Sequence, residues 1–196
     1  GRAALDELLI PSSIVEVKGE KIGLIGISPV DMFERTTHPA YHKDCYVEDL
    51  EPTIEEIKKQ TKKLKEQGIN KIILLSHIGH KKDQVIAQNT DGIDVIISGH
   101  THELLKDIKE GENFFYSKSG EPVIMTEAGK DGAYFGLLNL TFDKNGVITK
   151  ATYTLLHSAS HAFINEVSEI CGLDKSSLSE YILPNIPAIF IYCANS

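Results

Sequence analysis

The sequence has 196 residues, of which 41% are hydrophobic and 24% charged, a composition typical of one globular domain with an ordinary core. Its formal net charge of -8 argues against binding to nucleic acids or anionic membranes, because both rely on Lys and Arg patches. Three widely spaced cysteines indicate neither a disulfide framework nor a thiolate zinc site, and no apolar run approaches the roughly 18 residues of a membrane span.

The first part of the chain predicts a hairpin, an irregular segment and a helix. Two β-branched runs, residues 14–18 and 22–28, flank a short turn that contains glycine, which is typical of a β-hairpin. Residues 31–51 have no long periodic pattern and are expected to form a loop at the rim of a sheet. Residues 52–67 have apolar side chains at helical spacing, proline at the start and glycine just past the end, and they predict a surface helix.

The middle of the chain alternates between strands and a helix. Apolar runs at residues 71–76 and 93–98 read as buried strands, and residues 81–89 between them predict a short helix. Such alternation implies parallel strands in an α/β fold.

After a polar segment at 103–121, a short strand is predicted at 122–126. Residues 134–142 and 147–156 are joined by Asp-Lys-Asn-Gly, whose Asn-Gly is a strong hairpin signal. We therefore expect the sheet to finish with antiparallel strands.

The final part of the chain predicts helices followed by an apolar stretch. Helices are expected at 160–171 and at 174–183, with Asp174 as the N-cap of the second and a proline as its stop. Residues 186–193 are apolar and are expected to form a strand or a segment that pairs with something absent.

Histidines follow both central strands. His77 and His80 come after the first strand, and His100 and His102 after the second. Because the carboxyl ends of parallel strands meet at one edge of a sheet, these side chains are expected to lie close together. Neutral imidazole is the commonest protein ligand for divalent transition metals, so the pattern predicts a metal site.

The spacing of His100 and His102 allows one imidazole to face each of two metal ions, since Gly99 permits a sharp turn at the strand end. His77 would be the third ligand. Two metals clamp a phosphate and lower the pKa of a bridging water. Three histidines alone do not hold two catalytic metals, because such centres add carboxylates. A mononuclear zinc site built from the same three histidines is a weaker alternative.

These residues carry a family resemblance. Ser76-His77-x-Gly79-His80, Asp83 and residues 91–102 together resemble the second half of the calcineurin-like metallophosphoesterases, in the branch of 5'-nucleotidases, UDP-sugar hydrolases and 2',3'-cyclic-nucleotide phosphodiesterases. Residues 17–26 and 127–142 also match, and the resemblance covers about residues 14–156.

The resemblance implies an α/β/β/α sandwich with a mixed sheet and outer helices, and hydrolysis of phosphoesters, nucleotides above all. It implies that His77 and His100 bind one divalent metal and His102 the other, with Mn, Zn, Co or Fe as the candidate ions. By its position in the loop, His80 is expected either to touch substrate or support a ligand, or to be a solvated loop histidine. The family suggests a periplasmic or extracellular location, and the sequence leaves a cytoplasmic one open.

Three motifs of the family do not occur in the sequence: an Asp-x-His, a Gly-Asp that supplies the bridging carboxylate, and a Gly-Asn-His. We therefore expect residues 1–156 to be a partial metallophosphoesterase domain, completed by a missing N-terminal segment or by a partner chain. Such a fragment would have an exposed sheet edge and an unburied apolar face. Residues 157–196 are expected to be a helical tail of unclear role. The alternative is a degenerate, non-catalytic domain that acts as a scaffold or completes a partner.

Other polar residues have simpler expected roles. His38 and His42 are expected to be surface histidines, although a place in the substrate pocket is open. Asp83, Asp91 and Asp94 are expected at helix starts and turns rather than as metal ligands.

Overall fold

The structure, a computed structural model, describes residues 10–32, 48–131, 133–156, 167–172, 178–183 and 188–193. The elements of this part of the chain are, in order, β1 (Ser12–Val17), β2 (Glu20–Ile27), α1 (Leu50–Glu66), β3 (Ile72–Ser76), α2 (His80–Asn89), β4 (Val95–Ile97), β5 (Phe114–Tyr116), β6 (Pro122–Thr126), β7 (Phe135–Phe142), β8 (Ile148–Leu156), β9 (Leu178–Leu183) and β10 (Ala188–Cys193).

The first two strands form the expected hairpin. β1 and β2 pair antiparallel with Val17 opposite Glu20, so the loop between them has only two residues, Lys18 and Gly19. Both have positive φ, 53° and 84°. A two-residue loop with positive φ at both positions matches the twist of the strands that it joins.

Helix α1 confirms the predicted surface helix and begins two residues before Pro52. Its buried residues recur every three or four positions, so they form one stripe that faces the sheet: Ile54, Ile57, Gln60, Thr61 and Leu64. Gly68, with φ 79°, ends the helix and donates its N–H to the Lys65 carbonyl at 2.9 Å. Within the described ranges, no helix has the length and the apolar character that crossing a membrane requires.

The main sheet has the strand order β1-β2-β3-β4-β6-β5. Its four central strands, β2, β3, β4 and β6, are parallel, which confirms the parallel pairing predicted for residues 71–76 and 93–98, and β1 and β5 are antiparallel edge strands. β5 lies inside the polar segment 103–121, for which no strand was predicted. Its signal was the aromatic run Phe114-Phe115-Tyr116, a residue class favoured in strands.

The sheet is covered by different elements on its two faces. Side chains alternate between the faces along each strand, and one set packs against α1 and α2. The other set, Ile73, Val95 and Ile124, packs against the β7–β8 hairpin. These layers confirm the α/β fold class with a mixed sheet and outer helices. The β7–β8 pair is a separate two-stranded sheet, so the expectation that it would extend the main sheet was wrong. Apolar residues on one side of β7 place it face to face with the main sheet.

The β7–β8 hairpin covers only part of that face. Leu75 and Ile97 are paired neighbours on β3 and β4, two residues beyond the covered Ile73 and Val95. They are 43% and 45% exposed. The carboxyl half of this face is therefore apolar and open to solvent.

The end of the chain departs from the predicted helical tail. Residues 167–171 are helical, inside the predicted helix over 160–171. The helix expected over 174–183 is wrong at 178–183, because Leu178–Leu183 is strand β9, which pairs antiparallel with β10. β10 confirms the strand expected at 186–193. Pairing between two apolar segments overrides the local helix signal of Asp174.

Candidate metal centre at the carboxyl end of the sheet

Two of the four predicted histidines lie side by side at the carboxyl edge of the sheet. His77 directly follows β3, and His100 is three residues beyond the end of β4. Their rings are 5.4 Å apart between centroids and nearly perpendicular, at 80°. The Nε2 atom of His100 also lies 3.6 Å from Oδ2 of Asp31, which follows β2. Three adjacent strands thus bring two imidazoles and a carboxylate to one place.

Two glycines let the histidine-bearing turns approach each other. A Cβ placed on Gly99 would lie 2.8 Å from Nδ1 of His77, which is closer than real contacts allow. Gly79 has φ 99°, and a Cβ there would lie 3.1 Å from the Thr101 methyl carbon. The turn after β3 and the turn after β4 therefore interlock, with a glycine from each at the contact.

The backbone of the second turn adopts a conformation that is costly for histidine. His100 has φ 83° and His102 has φ 60°. Left-handed backbone costs residues with a side chain about 1–2 kcal/mol each. Two such positions, two residues apart, are the kind of local strain that collects at functional sites. His102 is exposed to solvent.

His80 starts helix α2 and links the two turns. Its backbone N–H donates to the Thr101 hydroxyl at 3.1 Å, and its Nε2 lies 3.0 Å from Nε2 of Gln84. Nδ1 of His80 is buried and has no hydrogen-bond partner among the described residues. The role of His80 at the site stays a prediction.

Beneath the turns lie two buried carboxylates. Asp83, on α2, accepts hydrogen bonds from the hydroxyls of Ser76 and Ser98. Burial raises the pKa of Asp83 to about 6, against the lowering effect of the two hydroxyls. Glu127, 3% exposed, accepts a hydrogen bond from the Thr101 hydroxyl at 3.3 Å. Two buried carboxyl groups thus hold hydroxyls in or next to the histidine-bearing turns.

The imidazole and carboxylate groups at this edge are suitable ligands for a divalent transition metal, but too few of them lie close together. Imidazole and carboxylate are suitable ligands for Zn, Mn, Co and Fe. In the described part of the chain, however, no three His, Cys, Asp or Glu side chains are close enough together to hold one ion. The assignment of His77, His100 and His102 as ligands stays a prediction. His38 and His42 lie outside the described residues.

The three aspartates that were not expected to be metal ligands have hydrogen-bond partners within the fold. Asp91 Oδ1 accepts from the Ser119 N–H at 2.7 Å, and Asp94 Oδ2 accepts from the Ile72 N–H at 2.7 Å, at the opposite end of the sheet. Asp83 is not a helix cap, since it bonds to two strand ends. The sequence did hold a sign that Asp83 is buried: it lies three and four residues before Ile86 and Ala87, on the buried face of the helix. Asp31 lies in the irregular segment and gave no signal.

Sequence comparisons identify relatives over most of the chain. No family model matches it. A probable 5'-nucleotidase of Treponema pallidum is 43% identical over 159 residues, which are 76% of this chain and 26% of the relative. A snake venom 5'-nucleotidase of Naja atra is 34% identical over 153 residues, 74% of this chain and 28% of the relative. The chain spans about a quarter of the length of these relatives.

The structural comparison agrees. The 5'-nucleotidase precursor of Thermus thermophilus superimposes with a TM-score of 0.69 and 26% identity, over 86% of this chain and 36% of that structure. Fold and comparisons together define an α/β fold of the metallophosphoesterase class. Within that class, the chain belongs to the 5'-nucleotidase branch of the superfamily.

Proposed function

We propose that this chain is part of a metal-dependent hydrolase of phosphoesters and that nucleotides are its substrate class. The observation that carries the proposal is the pair His77 and His100, with ring centroids 5.4 Å apart on adjacent strand ends. The relatives named as 5'-nucleotidases support the substrate class.

In this proposal His77 and His100 bind one divalent ion and His102 the second. Such ions, when bound, polarise the phosphoryl group and supply hydroxide near neutral pH. The chain's own residues hold the ligands in place. The carboxylate of Asp31 lies 3.6 Å from Nε2 of His100, where its negative charge can favour one orientation of the ring.

The remaining ligands are proposed to come from a segment outside this sequence or from a partner chain. Two observations support this. The relatives are about four times longer than the region that this chain matches. The apolar side chains of Leu75 and Ile97 are also exposed directly beside the site, on the part of the sheet face that β7–β8 leaves open.

The test uses the full-length protein that contains this chain. It is expected to hydrolyse a nitrophenyl phosphate ester when Mn²⁺, Co²⁺ or Zn²⁺ is added, and His100→Ala is expected to remove most of that rate. Asp94→Asn is the matched control, because Asp94 lies at the opposite end of the same sheet, and it is expected to retain the rate. Undiminished turnover in His100→Ala contradicts the proposal.

A non-catalytic domain is the second candidate. It is favoured by the absence of a complete three-residue ligand group within the described ranges. Element analysis of the purified 196-residue chain separates the two: weak or substoichiometric metal in the chain alone agrees with both candidates, whereas two bound metals per chain together with hydrolysis contradict the non-catalytic one.

A further inference from the structure

Asp83 is an ionisable residue in an apolar setting. It is 0% exposed and lies on the inner face of α2, on the same stripe as Ile86 and Ala87, which pack into the core. An apolar side chain at this position would remove the cost of burying a carboxyl group. The presence of aspartate therefore requires an explanation in its contacts.

Those contacts join two strands. Oδ1 of Asp83 accepts a hydrogen bond from the Ser76 hydroxyl at 2.5 Å, and Oδ2 accepts one from the Ser98 hydroxyl. Ser76 is the last residue of β3 and directly precedes His77. Ser98 follows β4 and precedes His100 by two residues. A single carboxyl group thus holds the two positions from which the histidine-bearing turns leave the sheet.

We propose that Asp83 is a positioning residue that clamps the ends of β3 and β4 and so sets the separation of His77 and His100. The role in metal binding rests on the proposed function, whereas the clamp itself is a property of this chain alone. Hydrogen bonds from both oxygens fix the direction of the carboxyl group as well as its distance. A pair of ligands held in this way loses less entropy when it binds an ion.

A second contact network agrees with this role. Farther along the turn after β4, Glu127 accepts a hydrogen bond from the Thr101 hydroxyl, and that hydroxyl accepts one from the His80 N–H. Glu127 and His80 are also the charged or titratable neighbours whose fields reach Asp83. The turn after β4 is therefore held at Ser98 by Asp83 and at Thr101 by Glu127 and His80. Of these contacts, it is Asp83 that reaches Ser76, the last residue of β3.

The test compares Ser98→Ala with Ser98→Thr, because threonine keeps the hydroxyl and fits a strand end. Asp83→Asn tests the charge, and Asp94→Asn is the control for burial of a carboxyl group elsewhere in the sheet. The first measurement is amide hydrogen exchange of the metal-free 196-residue chain. We expect Ser98→Ala to speed exchange about tenfold at residues 76–79 and 98–101, relative to wild type, while Ser98→Thr and Asp94→Asn leave those residues protected.

The second measurement is Co²⁺ titration of the full-length protein, followed by its visible absorption. Ser98→Ala is expected to weaken Co²⁺ binding about 10-fold to 100-fold, and Ser98→Thr to restore it. If Ser98→Ala has the same amide exchange rates and the same Co²⁺ affinity as Asp94→Asn, the proposal that Asp83 clamps the two strand ends is wrong. If wild type binds no Co²⁺ while the exchange results follow the expectation, the metal role fails with the proposed function and the clamp stands. If Asp83→Asn does not fold, the two Ser98 variants decide the result.

Discussion

The two ends of the main sheet solve the same structural problems with different residues. At the amino end, Gly92 and Gly146 take positive φ, as does Lys18 in the β1–β2 turn, and the buried carboxyl of Asp94 accepts a hydrogen bond from a backbone N–H. At the carboxyl end, His100 and His102 take positive φ instead. Among the described residues, the amino end thus has one non-glycine residue with positive φ, in a two-residue hairpin turn, whereas the carboxyl end has two histidines with positive φ only two residues apart.

The largest expected effect is at the amino end. Gly146→Ala would place a Cβ against the Asn70 carbonyl oxygen, closer than real contacts allow, at a residue with φ 86°. Backbone in such close contact cannot move cheaply, and the left-handed conformation adds its own cost. We expect a loss of about 3 kcal/mol in the free energy of unfolding, measured by urea denaturation. A loss below about 1 kcal/mol would show that the hairpin turn is adaptable.

The corresponding change at the carboxyl end is expected to spare the fold. Gly99→Ala places a Cβ 2.8 Å from Nδ1 of His77, a side-chain atom on an exposed ring that can swing away. Stability should fall by less than about 1 kcal/mol. In the full-length protein, Co²⁺ affinity should fall by about tenfold. A large loss of stability without a change in affinity would reverse the contrast between the two ends.

The pH dependence of stability tests the amino end through Asp94. Burial is the main cause that raises its pKa to about 7, from 3.8. Between these values the folded state binds more protons than the unfolded one, so this group's contribution to stability falls as pH rises from about 4 to 7. Asp94→Asn should remove that slope. We expect the variant to gain on the order of 1 kcal/mol relative to wild type between pH 4.5 and pH 8.

Urea denaturation of both proteins at pH 4.5, 6 and 8 measures the difference. Asp83, with a pKa raised to about 6 mainly by burial, keeps its own slope of the same sign between about 4 and 6 in both proteins, so it cancels. A difference that does not change with pH would contradict the assigned burial of Asp94.

The smallest expected effect concerns the strained turn. His102→Gly removes the cost of φ 60° at an exposed residue, whereas His102→Ala keeps it. We expect the glycine variant to be more stable than the alanine variant by up to about 1 kcal/mol, since the greater freedom of glycine in the unfolded chain offsets part of the gain. Thermal unfolding of the two variants gives the comparison. Equal stability would mean that the backbone at this position is free of strain.

Sequence alone was sufficient for the parts of the fold with local signals. The short apolar runs that became β3 and β4, and the periodic stripe of α1, are bounded by glycine and proline. Strand β9 was missed because helix signals are local. Its pairing with β10, which begins five residues beyond the end of β9, cannot be recognised from them. The hairpin β7–β8 was found, but its packing against the face of the main sheet was not.

For the site, spacing predicted which histidines approach each other but not what holds them. His77 and His100 could be paired because both follow strands of one parallel sheet. The hydroxyls of Ser76 and Ser98 could not be connected to Asp83, since serine is common and the bonds span 7 and 15 residues. The positive φ of His100 could not be predicted either, because it arises from the packing of the turn and histidine does not favour it.

The interlocked glycines constrain how this region can change over time. Gly79 abuts the side chain of Thr101, and Gly99 abuts the ring of His77, so each turn occupies space that a larger residue in the other would need. Whether a substitution in one turn is tolerated will therefore depend on which residues the other turn contains. A library that randomises these loops should therefore vary both together, because epistasis between them will hide workable combinations from any scan of single positions.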